Sequence, residues 1–86
     1  MANDTITITL KLFAIYQETL GVPEQEMTLP VGATVGDVLN RILEADHSLT
    51  KWKDLTRFGL NLQFVEAGTV LHNGDELVLI PPVSGG

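Results

Sequence analysis

The chain has eighty-six residues with eleven acidic and five basic side chains, a net charge of −6 and no cysteine. That length fits one small domain, which buries roughly 60–65% of the surface its unfolded chain exposes and leaves little room for a deep catalytic cavity. Disulfides, thiolate metal sites and a cysteine nucleophile are excluded, and so acidic a fold without a basic stripe repels nucleic acid.

Hydrophobic residues make up 44% of the chain, enough to build a core rather than a disordered segment. The opening Met1-Ala2-Asn3-Asp4 has no basic region followed by an apolar stretch, so no signal peptide is expected. No run approaches the roughly 20 apolar residues that span a membrane. With no cysteine, the expected location is the cytoplasm, with no membrane partner. The acidic body suits a basic partner surface, and it also serves solubility.

Thr5 to Leu12 alternates without a fault. Ile6, Ile8, Leu10 and Leu12 point one way, and the threonines with Lys11 point the other, which predicts a half-buried first strand. Phe13-Ala14-Ile15-Tyr16 continues the apolar character, and Gly21-Val22-Pro23 marks a turn. Glu26 to Pro30 reads as a second strand, paired with the first as a hairpin with a long loop. Thr34 is the expected N-cap of a helix, with Asp37 three residues on completing an Asp form of the capping box. Val35, Val38, Leu39, Ile42 and Leu43 then recur at helical spacing. Arg41 lies late in that helix, where the macrodipole favours a cation, and the helix is expected to end near Asp46.

From His47 to Gly59 the pattern is weak. Trp52, Leu55 and Phe58 at spacing three suggest an amphipathic turn or a 3₁₀ segment capping the core. Leu60 to Phe64 alternates and reads as a third strand. Thr69–His72 and Glu76–Ile80 flank Asn73-Gly74-Asp75, a turn signal that predicts a hairpin. The last run is apolar on both faces and so reads as a central strand. Strand, strand, helix and returning strands define an α+β class. The order and size match the β-grasp, or ubiquitin-like, fold: a mixed sheet with one main crossover helix and the last strand parallel to the first. Residues 1–82 are expected to form this domain and 83–86 a flexible Gly-Gly tail.

Few side chains are equipped for chemistry. His47 and His72 lie in different segments without metal-ligand spacing, so no metal site is expected. Ser84 lacks a nucleophile elbow and a histidine partner, and no phosphate-cradling glycine loop is present. Asp75 and Glu76 read as solvent charges beside a turn, or as charges facing a partner. An enzyme acting alone is not expected.

The backbone end is different. Pro81 and Pro82 stop the last hydrophobic run, and Val83-Ser84-Gly85-Gly86 follows. Two glycines without Cβ fit a slot too narrow for other residues. A free carboxylate on Gly86 would be a reactive position once activated, whereas the bland alternative is a frayed terminus. Four residue steps from Pro82 give the end a reach of at most about 14 Å. Phe13 and the outward side chains Val78 and Ile80 form a candidate apolar patch. Partner binding and burial beneath the Trp52 segment are the two readings of it.

Gly74-Asp75-Glu76 followed by Leu77-Val78-Leu79-Ile80-Pro81-Pro82-Val83-Ser84-Gly85-Gly86 resembles the C-terminal signature of the MoaD/ThiS family of ubiquitin-like sulfur carriers. Leu12-Phe13-Ala14 matches as well, as does Thr34-Val35 opening a helix that carries Leu39. The likeness covers nearly the whole chain and is strongest to the molybdopterin branch; no family pattern matches His47 to Gly59. The resemblance implies that Gly86 is adenylated by an enzyme related to the ubiquitin activators and becomes a thiocarboxylate, with Gly85 as the narrow step before it. It implies sulfur donation to cyclic pyranopterin monophosphate, forming the dithiolene of molybdopterin. The catalytic lysine and the pterin pocket would then lie on a large subunit that receives Pro81, Pro82, Val83 and Ser84 with the tail. The implied partners are that molybdopterin synthase large subunit, the adenylating enzyme and a sulfur donor of the cysteine desulfurase or rhodanese type. No cofactor is expected on the chain itself, ATP being used by the activating enzyme. Three other readings remain: sulfur delivery for the thiamin thiazole, a modifier conjugated to lysines, and a non-covalent binding module.

Overall fold

The computed structural model describes residues 4–82. Five strands form one sheet in the order β2-β1-β5-β3-β4. They are β1 (Thr5–Leu12), β2 (Glu24–Pro30), β3 (Arg57–Leu60), β4 (Gln63–Val65) and β5 (Glu76–Ile80). β1 pairs antiparallel with β2, and β5 lies between β1 in parallel and β3 in antiparallel. The expected central, parallel last strand is therefore present. Helices α1 (Ala14–Leu20) and α2 (Val35–Ala45) and a 3₁₀ helix (His47–Leu55) complete the chain.

The alternation of β1 does what its pattern dictates. Ile8, Leu10 and Leu12 are almost fully buried and meet Leu77 and Leu79 of β5, together with the α2 stripe Val35, Val38, Leu39, Ile42 and Leu43. The capping box of α2 is complete: the Asp37 amide donates to Thr34 Oγ1 at 3.2 Å, and the Thr34 amide donates to Asp37 Oδ2 at 2.9 Å. Arg41 stands ahead of the last turn, and its Nη1 donates to the Thr28 carbonyl at 3.0 Å, tying α2 to β2.

Four expectations are corrected. The long hairpin loop holds α1, a helix of seven residues with no side-chain cap on Phe13, so it leaves little trace in the sequence. It is stopped by Gly21 at φ +81°, whose amide donates to the Gln17 carbonyl. Leu60–Phe64 is not one strand: Asn61 and Leu62 have φ of 49° and 73° and turn the chain between β3 and β4. Thr69–His72 does not pair with β5, because both of its edges are already taken by β1 and β3. It runs instead beside the start of α2, where Val35 N–H donates to Thr69 O and Leu71 N–H to Ala33 O, each at 2.9 Å. Gly36 permits this approach: a Cβ there would lie 3.2 Å from Ala67 O. Finally, the expected 3₁₀ segment forms and Trp52 packs half-buried against the core, but Leu49 is its core residue, Leu55 is exposed and Phe58 belongs to β3.

A buried polar chain pins this segment. Tyr16, fully buried, donates its hydroxyl to Thr56 Oγ1 at 2.6 Å, and Thr56 Oγ1 donates to the Trp52 carbonyl at 2.8 Å. Burial raises the Tyr16 pKa, partly offset by the Thr56 hydrogen bond. The stability tied to the neutral phenol is thus present below about pH 10 and lost as pH rises through the folded value. Thr56→Val keeps the shape but leaves the Tyr16 hydroxyl without its partner and takes the Thr56 donor from the Trp52 carbonyl. It should lower unfolding stability in urea by about 1–3 kcal/mol. An unchanged midpoint would show that water replaces the lost partner.

Candidate functional site

The sheet has one face covered by α2 and one left open. On the open face, residue parity sorts two chemistries. Toward the β2 edge stand Thr7, Thr9, Glu26 and Thr28, with Lys11 bridging Glu24 and Glu76 at 3.6 Å each. These exposed ion pairs add little stability, so the region is chiefly a polar, net-negative border.

Toward the other edge the open face is apolar. Val78 and Ile80 project from β5, opposite to the buried Leu77 and Leu79. Phe13 extends β1 by one more extended residue on the parity of Lys11, next to the position of Ile80, and is 50% exposed. Phe64, in register with Gly59 of β3, is 76% exposed. Gly59 keeps a groove open, because a Cβ there would touch Val78 at 3.7 Å. The groove is lined by Gly59, Leu62, Gln63, Phe64, Val78 and Ile80. The Trp52 segment packs against α2 and the core and does not line this groove.

The structure thus brings Val78 and Ile80 together and sets Phe13 at the neighbouring register position. It adds Leu62 and Phe64, which alternation had placed inside a strand. Pro81 and Pro82 are half-buried and line a second groove with Asp54, Leu55, Thr56, Arg57 and Ile80, at the root of the tail. Val83, Ser84, Gly85 and Gly86 lie outside the described residues. Asp75 is not merely a solvent charge. Its Oδ2 accepts the His72 amide at 2.7 Å and its Oδ1 accepts Asn61 Nδ2 at 2.9 Å. Among the described residues, no three of His, Asp and Glu converge on one point, and no helix is long and apolar enough to cross a membrane. Asp46 has a lowered pKa because the Ser48 hydroxyl and amide both donate to its carboxylate, a cap of the 3₁₀ helix rather than a reactive group.

A mixed sheet with a parallel first and last strand, one long helix across it and an open apolar face is the β-grasp, ubiquitin-like architecture. Within that class the chain belongs to the ThiS family, whose profile matches residues 10–86. It is 31% identical to an Arabidopsis thaliana protein named molybdopterin synthase sulfur carrier subunit, over 99% of this chain and 91% of that one. A Chlamydomonas reinhardtii protein of the same name is 37% identical, over 92% and 98% of the two chains. Among solved structures, SAMP1 (small archaeal modifier protein 1) from Haloferax volcanii superposes with a TM-score of 0.79 at 32% identity, covering 93% of this chain and 99% of that one.

Proposed function

We propose that this chain is the sulfur carrier subunit of a molybdopterin synthase, with Gly86 as the atom-transferring position. The observation that carries the reading is the shared name of two relatives matched over nearly their full lengths at 31% and 37% identity. The chemistry resides in the backbone. A carboxylate is a poor acyl donor because oxide is its leaving group. Attack by the Gly86 carboxylate on the α-phosphorus of ATP, in an adenylating enzyme, expels pyrophosphate and leaves an acyl adenylate. The outer sulfur of a persulfide on a desulfurase or rhodanese-type donor then displaces AMP and forms an acyl disulfide. A second thiol attacks the donor-side sulfur of that bond, so the thiocarboxylate leaves and a disulfide remains on the donor. Inserted into a large subunit, it transfers sulfur to cyclic pyranopterin monophosphate, and a second round completes the dithiolene.

The chain's own part is to carry, present and dock. Pro81 and Pro82 stiffen the root of the tail, and Gly85 and Gly86 make its tip narrow. The open apolar face around Phe13, Val78 and Ile80 is the docking surface for the large subunit and, in turn, for the adenylating enzyme. The catalytic lysine and the pterin pocket belong to the large subunit.

The test is intact mass spectrometry of the N-terminally tagged protein purified from its own cells. A fraction heavier by the exchange of one oxygen for one sulfur, localised to Gly86, is the expected result. The likeness to the archaeal modifier SAMP1 favours a second reading, conjugation to lysines. An unmodified Gly86 together with lysine-linked conjugates of higher mass would replace the first reading by the second. Delivery to a thiamin thiazole ranks lower, because both plant and algal relatives carry the molybdopterin name.

A further inference from the structure

The turn between β3 and β4 combines two features that rarely coincide. Asn61 and Leu62 occupy a two-residue hairpin loop with both φ values positive, at 49° and 73°. Such loops favour Asn-Gly, because the second residue sits where a Cβ is crowded. Here the second residue is leucine, and its side chain is 94% exposed, so no core contact offsets the backbone strain. Strain of this kind, held in place by its surroundings, clusters at binding and switch sites.

The conformation is enforced from outside the loop. Asn61 N–H donates to the Glu76 carbonyl, Glu76 N–H donates to Asn61 Oδ1, and Asn61 Nδ2 donates to Asp75 Oδ1, all at 2.9 Å. Asp75 is in turn held by the His72 amide. This clamp welds the loop to the start of β5, the strand that leads into the tail. Leu62 therefore stands as a rigid apolar knob at the mouth of the groove formed with Phe64, Val78 and Ile80.

We infer that Leu62 is an anchor residue of the docking surface, inserted into an apolar pocket of the large subunit, whose surrounding rim is basic. The inference rests on the reading of this chain as a synthase small subunit. Charge selects the occupant: on the open face Glu24, Glu26 and Glu76 outnumber the cations, which are Lys11, shared by two of them, and Arg57, in register with Ile80. A second copy would set these carboxylates against their like on a chain of net charge −6, whereas a basic-rimmed partner complements them. A rigid aliphatic knob of this kind adds affinity at small entropic penalty, because its backbone is already fixed before binding.

Leu62→Asn separates strain from contact. Asparagine enters the left-handed region more readily than leucine, so thermal melting should shift up by a few degrees. Titration of the full chain against the purified large subunit of the same organism should show Kd weakened roughly 10- to 100-fold, the value of burying one leucine. Leu62→Met, which keeps the apolar reach, should bind close to wild type. Unchanged binding by Leu62→Asn, with binding lost in Phe13→Asp, would overturn the role of Leu62 alone. Unchanged binding by both variants would overturn the docking face itself, and failure of the wild-type chain to bind would overturn the synthase reading. Wild-type self-association in sedimentation that Leu62→Asn abolishes would assign the knob to a second copy and overturn the inference.

Discussion

Deleting Gly86 is expected to abolish sulfur transfer and leave the fold unchanged. Among the described residues the last fully buried side chain is Leu79, and the last strand ends at Ile80, six residues before Gly86. Thermal melting should therefore match that of the full chain. Activity should not survive, because shortening the thread by one residue withdraws the carboxylate by about 3.5 Å. Reacting atoms must come within roughly 3–3.5 Å of each other, and a misplacement of even about 1 Å can lower a rate about 100-fold. Both steps would suffer: attack on ATP in the adenylating enzyme and sulfur transfer in the large subunit. The check is molybdopterin formation in a reconstituted reaction, with thiocarboxylate measured by mass on the same sample. Full activity in the shortened chain would move the chemistry away from the terminus and leave the non-covalent binding module as the better reading.

How much was visible in the sequence depends on which interaction decides each element. β1 and α2 were legible because burial on one face imposes a period, and because the Thr34–Asp37 cap is a local device readable from two residues. The central position of β5 followed from its apolar character on both faces. The errors lie where a distant hydrogen bond outweighs local pattern. Asn61-Leu62 looks like strand alternation. It becomes a turn because Glu76 and Asp75, fourteen or fifteen residues away, hold the Asn61 carboxamide. Thr69–His72 looks like half a hairpin, but its carbonyls and amides are claimed by the entrance of α2. For the open apolar face, the placement of Phe13, Val78 and Ile80 was readable from parity on their strands. Leu62 and Phe64 were not, because their exposure depends on the misread turn. Asparagine at 61 is the one local turn signal, and it is weaker than Asn73-Gly74 because leucine, not glycine, follows it.

The open face itself is tested by Phe13→Asp, which should weaken binding to the large subunit roughly 100- to 10,000-fold with the domain still folded. The loss combines two effects. Burying a phenylalanine side chain stabilises a complex by about 1.5–3 kcal/mol, and a carboxylate placed in the apolar half of the face must shed its water without a partner, adding roughly 1–3 kcal/mol more. The fold should tolerate the change for a reason written into α1. Phe13 is the N-cap of that helix, has an extended backbone and makes no side-chain capping bond. Phe13 is half exposed and lies outside the buried core cluster, so the substitution removes a contact surface and stability should hold. Circular dichroism and calorimetric titration on one preparation decide the matter. A native spectrum with lost binding supports the docking face. A lost spectrum would mean that Phe13 serves the core despite its exposure, and a native spectrum with undiminished binding would place the interface elsewhere on the molecule, most directly along the Pro81–Pro82 groove beside Arg57.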